Sequence, residues 1–184
     1  TRRTWRSLVN VAGRSRGRRD SVSDVTPMEL VGVRVEVPAN TPMVLLQETE
    51  GERRLLPIYI GSPEAASIHY ALEGQQPPRP LTHDLFVTVL GDLGAQLEHV
   101  LITEVHEHTY FAELHLRLGE AEHVVPSRPS DAIALAVRCS VPIFAADELL
   151  DEVGQLPVPD PPDDTEIIDE FKDFIEHVSP EDFA

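Results

Sequence analysis

Basic residues are scarce once the first stretch of this chain is passed. Of 184 residues, fifteen are Lys or Arg against thirty-two Asp or Glu, a formal net charge of −17. Seven of those basic residues fall within residues 1–27, beside two aspartates, which gives that stretch +5. Residues 28–184 keep eight basic against thirty acidic side chains, a balance of −22. Tight nucleic-acid binders usually carry a basic patch, so this body argues against nucleic acid as a tightly held partner. It leaves room for a metal-dependent enzyme, whose bound cations would reverse the local field. Cysteine is nearly absent: Cys139 stands alone, so no disulfide can close within the chain, which fits a reducing cytoplasm. In its apolar surroundings Cys139 reads as a small buried residue. No apolar run approaches the roughly 18 residues needed to cross a bilayer, so no membrane association is expected. No signal peptide is read ahead of the domain.

Residues 1–27 carry no sustained hydrophobic period and read as a disordered basic leader, or as a basic arm for an acidic surface. The ordered pattern opens at Met28. "MELVGVRVEV" alternates, with Val31, Val33, Val35 and Val37 on one face, as a strand does. "MVLLQET" and "RRLLPIYIG" flank the Glu50-Gly51 turn and predict a hairpin of buried strands. "SPEAASIHYALEG" predicts a helix with Ser62 as N-cap, Pro63 in its first turn and Gly74 beyond its end. A second helix starts at Thr82 and a third follows "SRP". Between them "QLEHVLITEVHEHTYFAELHLRLGEAEHVVP" reads as strands joined by tight turns, with Tyr110, Ala112, Leu114, Leu116 and Leu118 on one face. "VPIFAA" predicts a short buried strand and "DELLDEVG" a short helix capped by Asp147. Strands and helices are interspersed without regular βαβ alternation, so the fold class is α+β, a single compact domain over residues 28–154. Residues 155–164 read as a Pro/Asp-rich linker, and residues 165–184 as a C-terminal amphipathic helix with one apolar stripe.

Two of the scarce arginines stand where positive charge is locally disfavoured. "PPRPLTHDLF" and "PSRPSDAIALAV" each put Arg-Pro ahead of a helix start, followed by a hydroxyl (Thr82 or Ser130) and an aspartate (Asp84 or Asp131). A helix N-terminus already carries partial positive charge, which suits the aspartates and not Arg79 or Arg128. Either each arginine forks onto a carboxylate across the fold, or the two helix ends together bind an anion such as phosphate. Both alternatives expect Arg79, Asp84, Arg128 and Asp131 to meet in one charged cluster beside His83.

"LPIYIGSPEAASI", "RPLTHDLF" and "SRPSDAIALAVR…VPIF", in this order, resemble the bifunctional nuclease family of bacteria and plants, over residues 28 to about 150. The resemblance implies a compact α+β domain that commonly forms homodimers, and nuclease activity on both RNA and DNA. The matched positions are Glu64, Arg79, His83, Asp84, Arg128, Ser130 and Asp131. Family members often carry an acidic residue two places before the second motif's arginine; here that position is Pro126.

Phosphodiester hydrolysis needs an activated water and charge stabilisation on the phosphate. On that chemistry Glu64, Asp84 and Asp131 supply carboxylates, with Asp84 and Asp131 as candidate ligands for Mg²⁺ or Mn²⁺. His83 is the candidate general base, and Arg79, Arg128 and Ser130 the candidate phosphate contacts. The alternative for His83 is a hydrogen bond to the backbone of its own helix turn. No tightly spaced acidic motif marks a metal site. The histidine-rich hairpin offers a second candidate: a turn at His108-Thr109 would set His106 against Phe111 and Glu104 against Glu113, with His115 on the same face. Two opposed glutamates are unfavourable without a cation or another register. Two function classes follow: a metal-assisted nuclease acting on RNA or DNA, and a non-catalytic interaction or regulatory domain that binds a small anionic ligand or a protein partner.

Overall fold

The computed structural model describes residues 25–36, 39–75 and 77–157. The basic leader up to residue 24 and the amphipathic helix expected at 165–184 lie outside the described residues, as does residue 158 onward of the expected linker. Seven strands and four helices follow in the order β1 (Val25–Glu36), β2 (Thr41–Glu48), β3 (Leu55–Tyr59), α1 (Ser62–Leu72), α2 (Thr82–Asp92), β4 (Ala95–His106), β5 (Thr109–Leu118), β6 (Ala121–Ser127), α3 (Pro129–Cys139), β7 (Ile143–Ala146) and α4 (Asp147–Val153). The fold is α+β, as the interspersed elements predicted.

One sheet holds all seven strands, in the order β3-β2-β1-β7-β4-β5-β6. β7 runs parallel to β4; the other pairings are antiparallel. Alternation sends Val44, Leu46, Leu56, Ile58, Val100, Ile102, Ala112, Leu114 and Leu116 to a single core face. α3 lies on that face. Its Ala132, Ile133, Ala134, Leu135 and Ala136 are all buried, because it packs on β4 and β5 and also against α1 and α2. A helix apolar on nearly every side can only sit inside. Small alanines let the neighbouring elements approach it closely.

Several boundaries differ from the sequence expectation. β1 begins at Val25 rather than Met28, because Val25–Met28 pair with β7 and the Thr26 hydroxyl donates to Asp147 at 2.6 Å. A bulge between Leu30 and Gly32 interrupts β1's alternation; Val31 and Val35 are exposed, while Val33 packs against the core. Gly61 and Ala146 take the N-cap positions expected of Ser62 and Asp147, which fall one residue inside their helices; α2 starts at Thr82 as expected, with Leu81 as its N-cap. Gln155, expected to open the linker, bridges to Leu55 at the sheet edge. Glu48 is buried beside it and accepts from Arg54 Nε at 2.9 Å and from its backbone N–H at 2.7 Å. Arg54 also reaches Asp151, which fastens α4 to the β2–β3 hairpin.

The β4–β5 hairpin turns one residue earlier than expected. Glu107 and His108 form the two-residue turn, both with positive φ (49° and 63°), the sense that matches strand twist. His106 therefore pairs with Thr109 and Glu104 with Phe111, while Glu113 sits opposite Leu101. The opposed glutamates do not arise. Instead His99 faces His115, their rings stacked with centroids 4.1 Å apart.

Candidate functional site

The starts of α1 and α3 and the first turn of α2 converge on the core side of the sheet. Arg128, the N-cap of α3, forks onto Asp131 in that helix's first turn, Nε to Oδ2 at 2.7 Å and Nη2 to Oδ1 at 3.0 Å. Its Nη1 donates to Glu64 of α1 at 3.0 Å. The misplaced charge at the helix start is thereby held by two carboxylates, one local and one from across the fold.

Behind this pair runs a chain of side chains. Asp131 Oδ1 lies 3.1 Å from His83 Nε2, and His83 Nδ1 lies 2.9 Å from the buried Ser67 hydroxyl. Arg138 Nη2 donates to that same hydroxyl at 3.2 Å. Arginine only donates and the ionised Asp131 only accepts, which places a proton on His83 Nε2. With the ring neutral, Nδ1 is then the acceptor of the Ser67 hydroxyl proton. Both ring nitrogens are committed to side chains, neither to the backbone of its own turn. Arg138 Nε continues to Asp84 at 2.6 Å, and Asp84 Oδ2 accepts the Leu81 backbone N–H at 2.8 Å, closing the N-terminus of α2.

These contacts fix the charges. For Asp131 burial raises the carboxyl pKa, but the Arg128 and His83 hydrogen bonds and charges outweigh it, so the group lies below its ordinary value. For Asp84 the Arg138 hydrogen bond leads, and the pKa is again lowered. Arg128 is pushed up by Asp131 first and Glu64 second. Both aspartates are firmly ionised at neutral pH, which suits holding an arginine and not donating a proton.

A cavity of about 360 Å³ opens beside the cluster, walled by Tyr59, Glu64, His108, Tyr110, Arg128 and Ser130 among others. Of the positions singled out in the sequence, Glu64, Arg128 and Ser130 face it. His83, Asp84 and Asp131 stand behind that wall, in the network that holds Arg128. Arg79 does not join the cluster: it is exposed on the loop before α2 and has no ion pair among the described residues. Arg138 takes the place expected for it, as the partner of Asp84. Ser67 and Arg138 were not anticipated; each looks in the sequence like an ordinary helix residue. Gly61 lies directly under Glu64, where a Cβ would strike the carboxylate.

A preassembled metal centre does not fit these residues. Among the described residues no three His, Cys, Asp or Glu side chains converge as a ligand set. Glu64 and Asp131 are already bridged by Arg128, and Asp84 by Arg138.

A family model for the bifunctional nuclease domain matches residues 44–157. An uncharacterized Mycobacterium tuberculosis protein is 40% identical over 163 residues, 85% of this chain and 96% of the relative. Bifunctional nuclease 1 of Arabidopsis thaliana is 35% identical over 106 residues, 55% of this chain and 32% of the plant protein. Bifunctional nuclease 1 of Oryza sativa subsp. japonica is 31% identical over 103 residues, 54% of this chain and 31% of the plant protein. The chain thus spans about a third of the length of these plant relatives.

Proposed function

The chain belongs to the bifunctional nuclease domain family, and from that membership we propose that it hydrolyses phosphodiester bonds of RNA or DNA at the cavity beside α3. The observation that carries this reading is Arg128, whose side chain is 64% exposed on the cavity wall it shares with Glu64 and Ser130. A guanidinium has five N–H donors, and three are used on Asp131 and Glu64. Two remain for a phosphate oxygen, where they would stabilise charge that grows in the transition state. Glu64 uses Oε1 on Arg128, which leaves Oε2 to orient the attacking water and take its proton. The Ser130 hydroxyl offers one further donor. Asp131, His83, Ser67 and Arg138 are positioning residues that hold the guanidinium. No step is routed through Mg²⁺ or Mn²⁺, because the carboxylates that would bind it are committed to arginines.

The test is cleavage of labelled RNA, single-stranded DNA and duplex DNA, with and without Mg²⁺ or Mn²⁺. Wild type should cleave, and Arg128→Ala and Asp131→Ala should not. Cleavage that survives in both variants would mark a contaminating nuclease and remove the proposal. One observation favours the alternative of a non-catalytic binding domain: the charged groups are closed into mutual ion pairs. Wild type that binds nucleotides in the cavity and cleaves nothing would decide for it.

Pairing of two copies belongs to the same reading. Leu101, Phe111 and Phe144 alternate with core residues, and Val124 pairs with His115 between core Leu114 and Leu116, so all four stand on the sheet face turned away from the core. Light scattering at micromolar concentration should give twice the chain mass, and a monomer throughout would refute pairing.

A further inference from the structure

Aromatic residues make up only 5% of this chain, and it holds three tyrosines. Two of them, Tyr59 at the end of β3 and Tyr110 at the start of β5, line the same cavity as Arg128. Tyr59 is 53% exposed, although no core packing requires an aromatic at that position. His108, in the turn before Tyr110, adds a third ring to the wall. The same cavity meets the N-terminus of α3, where Ser130 is only 7% exposed. Its hydroxyl makes no hydrogen bond among the described residues, yet Ser130 lines the cavity. The hydroxyl is not sealed from solvent, so a water or a ligand oxygen can meet it there. The cavity wall therefore combines aromatic rings with two guanidinium N–H groups, a hydroxyl and a helix N-terminus.

Resting on the hydrolase reading, we propose that this cavity is a slot for one unstacked nucleotide. The base lies against Tyr59 and Tyr110, and the phosphate meets Arg128 and Ser130. Every base has a π-face, so such a platform is tolerant of sequence. Bases inside a duplex are stacked and paired and cannot enter it. The ligand chemistry is a nucleoside monophosphate unit, either free or within a single strand.

The experiment is titration calorimetry of the full chain with phosphorothioate-linked ligands, which resist cleavage. The ligands are a short single strand, its abasic counterpart of equal length, the corresponding duplex, adenosine monophosphate and inorganic phosphate. The single strand should bind roughly tenfold or more tighter than the abasic strand and than the duplex. Tyr59→Ala should remove that advantage while leaving abasic binding unchanged, and Tyr59→Phe should keep it. Adenosine monophosphate binding as tightly as the strand would assign the slot to the free nucleotide, and weaker binding would assign it to the strand. Equal affinity for base-bearing and abasic ligands, or a Tyr59→Ala variant indistinguishable from wild type, would overturn the slot. The two readings fail separately. Cleavage without base-dependent binding ends this proposal alone, and base-dependent binding without cleavage ends the hydrolase reading alone.

Discussion

Arg128 and Arg138 both pair with aspartates, yet their surroundings assign them opposite sensitivities. Arg138 is 9% exposed and serves Asp84, the Ser67 hydroxyl and two backbone carbonyls. Arg138→Ala leaves a partly buried carboxylate without its counter-charge and should lower stability by about 2–4 kcal/mol in urea unfolding. Arg128 is 64% exposed, where solvent screening holds an ion pair to below about 1 kcal/mol. Arg128→Ala should therefore cost less stability than Arg138→Ala while losing cleavage, a separation that neither arginine's sequence context discloses. The lowered carboxyls add a pH signature. Asp84 and Asp131 have folded pKa values below the ordinary 3.8, so the unfolded chain takes up protons first as pH falls. Their stabilisation is complete above about pH 4 and lost as pH drops through the folded values. Urea midpoints taken from pH 6 to pH 3 should fall, and Asp84→Asn should flatten the decline.

At the scale of elements, the extent of β1 is open to a direct check. A chain starting at Val25 retains the whole β1–β7 ladder and the Thr26–Asp147 hydrogen bond; one starting at Met28 loses three of its four paired residues. The shorter chain should melt several degrees below the longer one, as scanning calorimetry would show. The strands and helices themselves were legible because their apolar residues recur at the right period, and α3 most of all because it is apolar throughout. Element ends were less legible, for identifiable reasons. Glu107 and His108 turn the hairpin in left-handed conformations without the Gly or Asn that usually signals one. Gly61 and Ala146 cap helices without a side-chain bond, so Ser62 and Asp147 beside them drew those boundaries one residue late, while α2 starts at Thr82 as read. The charged cluster was legible as far as Asp84, Arg128, Asp131 and His83, because two Arg-Pro starts repeat. Arg79 shares the motif but faces solvent, and Arg138 and Ser67 enter only because α1, α2 and α3 pack together. No local pattern encodes that.

For the molecule as a whole, charge opposes the proposed substrate. Residues 28–184 carry −22, and a phosphate backbone approaching them meets repulsion over distances that salt screens, about 10 Å at 0.1 M. A basic nuclease loses affinity steeply as salt rises. Cleavage here should instead hold steady or increase between 50 and 200 mM salt, measured on a short single strand to avoid duplex effects. A steep fall would point to basic contacts outside the described residues.

The place of β7 has a consequence for how the chain reaches this shape. β1–β2–β3 and β4–β5–β6 are each local meanders that can form as soon as their residues are made. They share no ladder until Ile143–Ala146 slides between β1 and β4. Four residues near the end of the domain thus complete a sheet whose two halves were both synthesised before them. Until then β1 and β4 each keep one unpaired edge, the kind of edge that recruits strands from other chains. Closing the sheet also requires the β6–α3–β7 crossover, a non-local step of the sort that slows folding. The nascent protein is most exposed to aggregation in the interval before β7 arrives, and the rate at which that short strand docks sets how long the interval lasts.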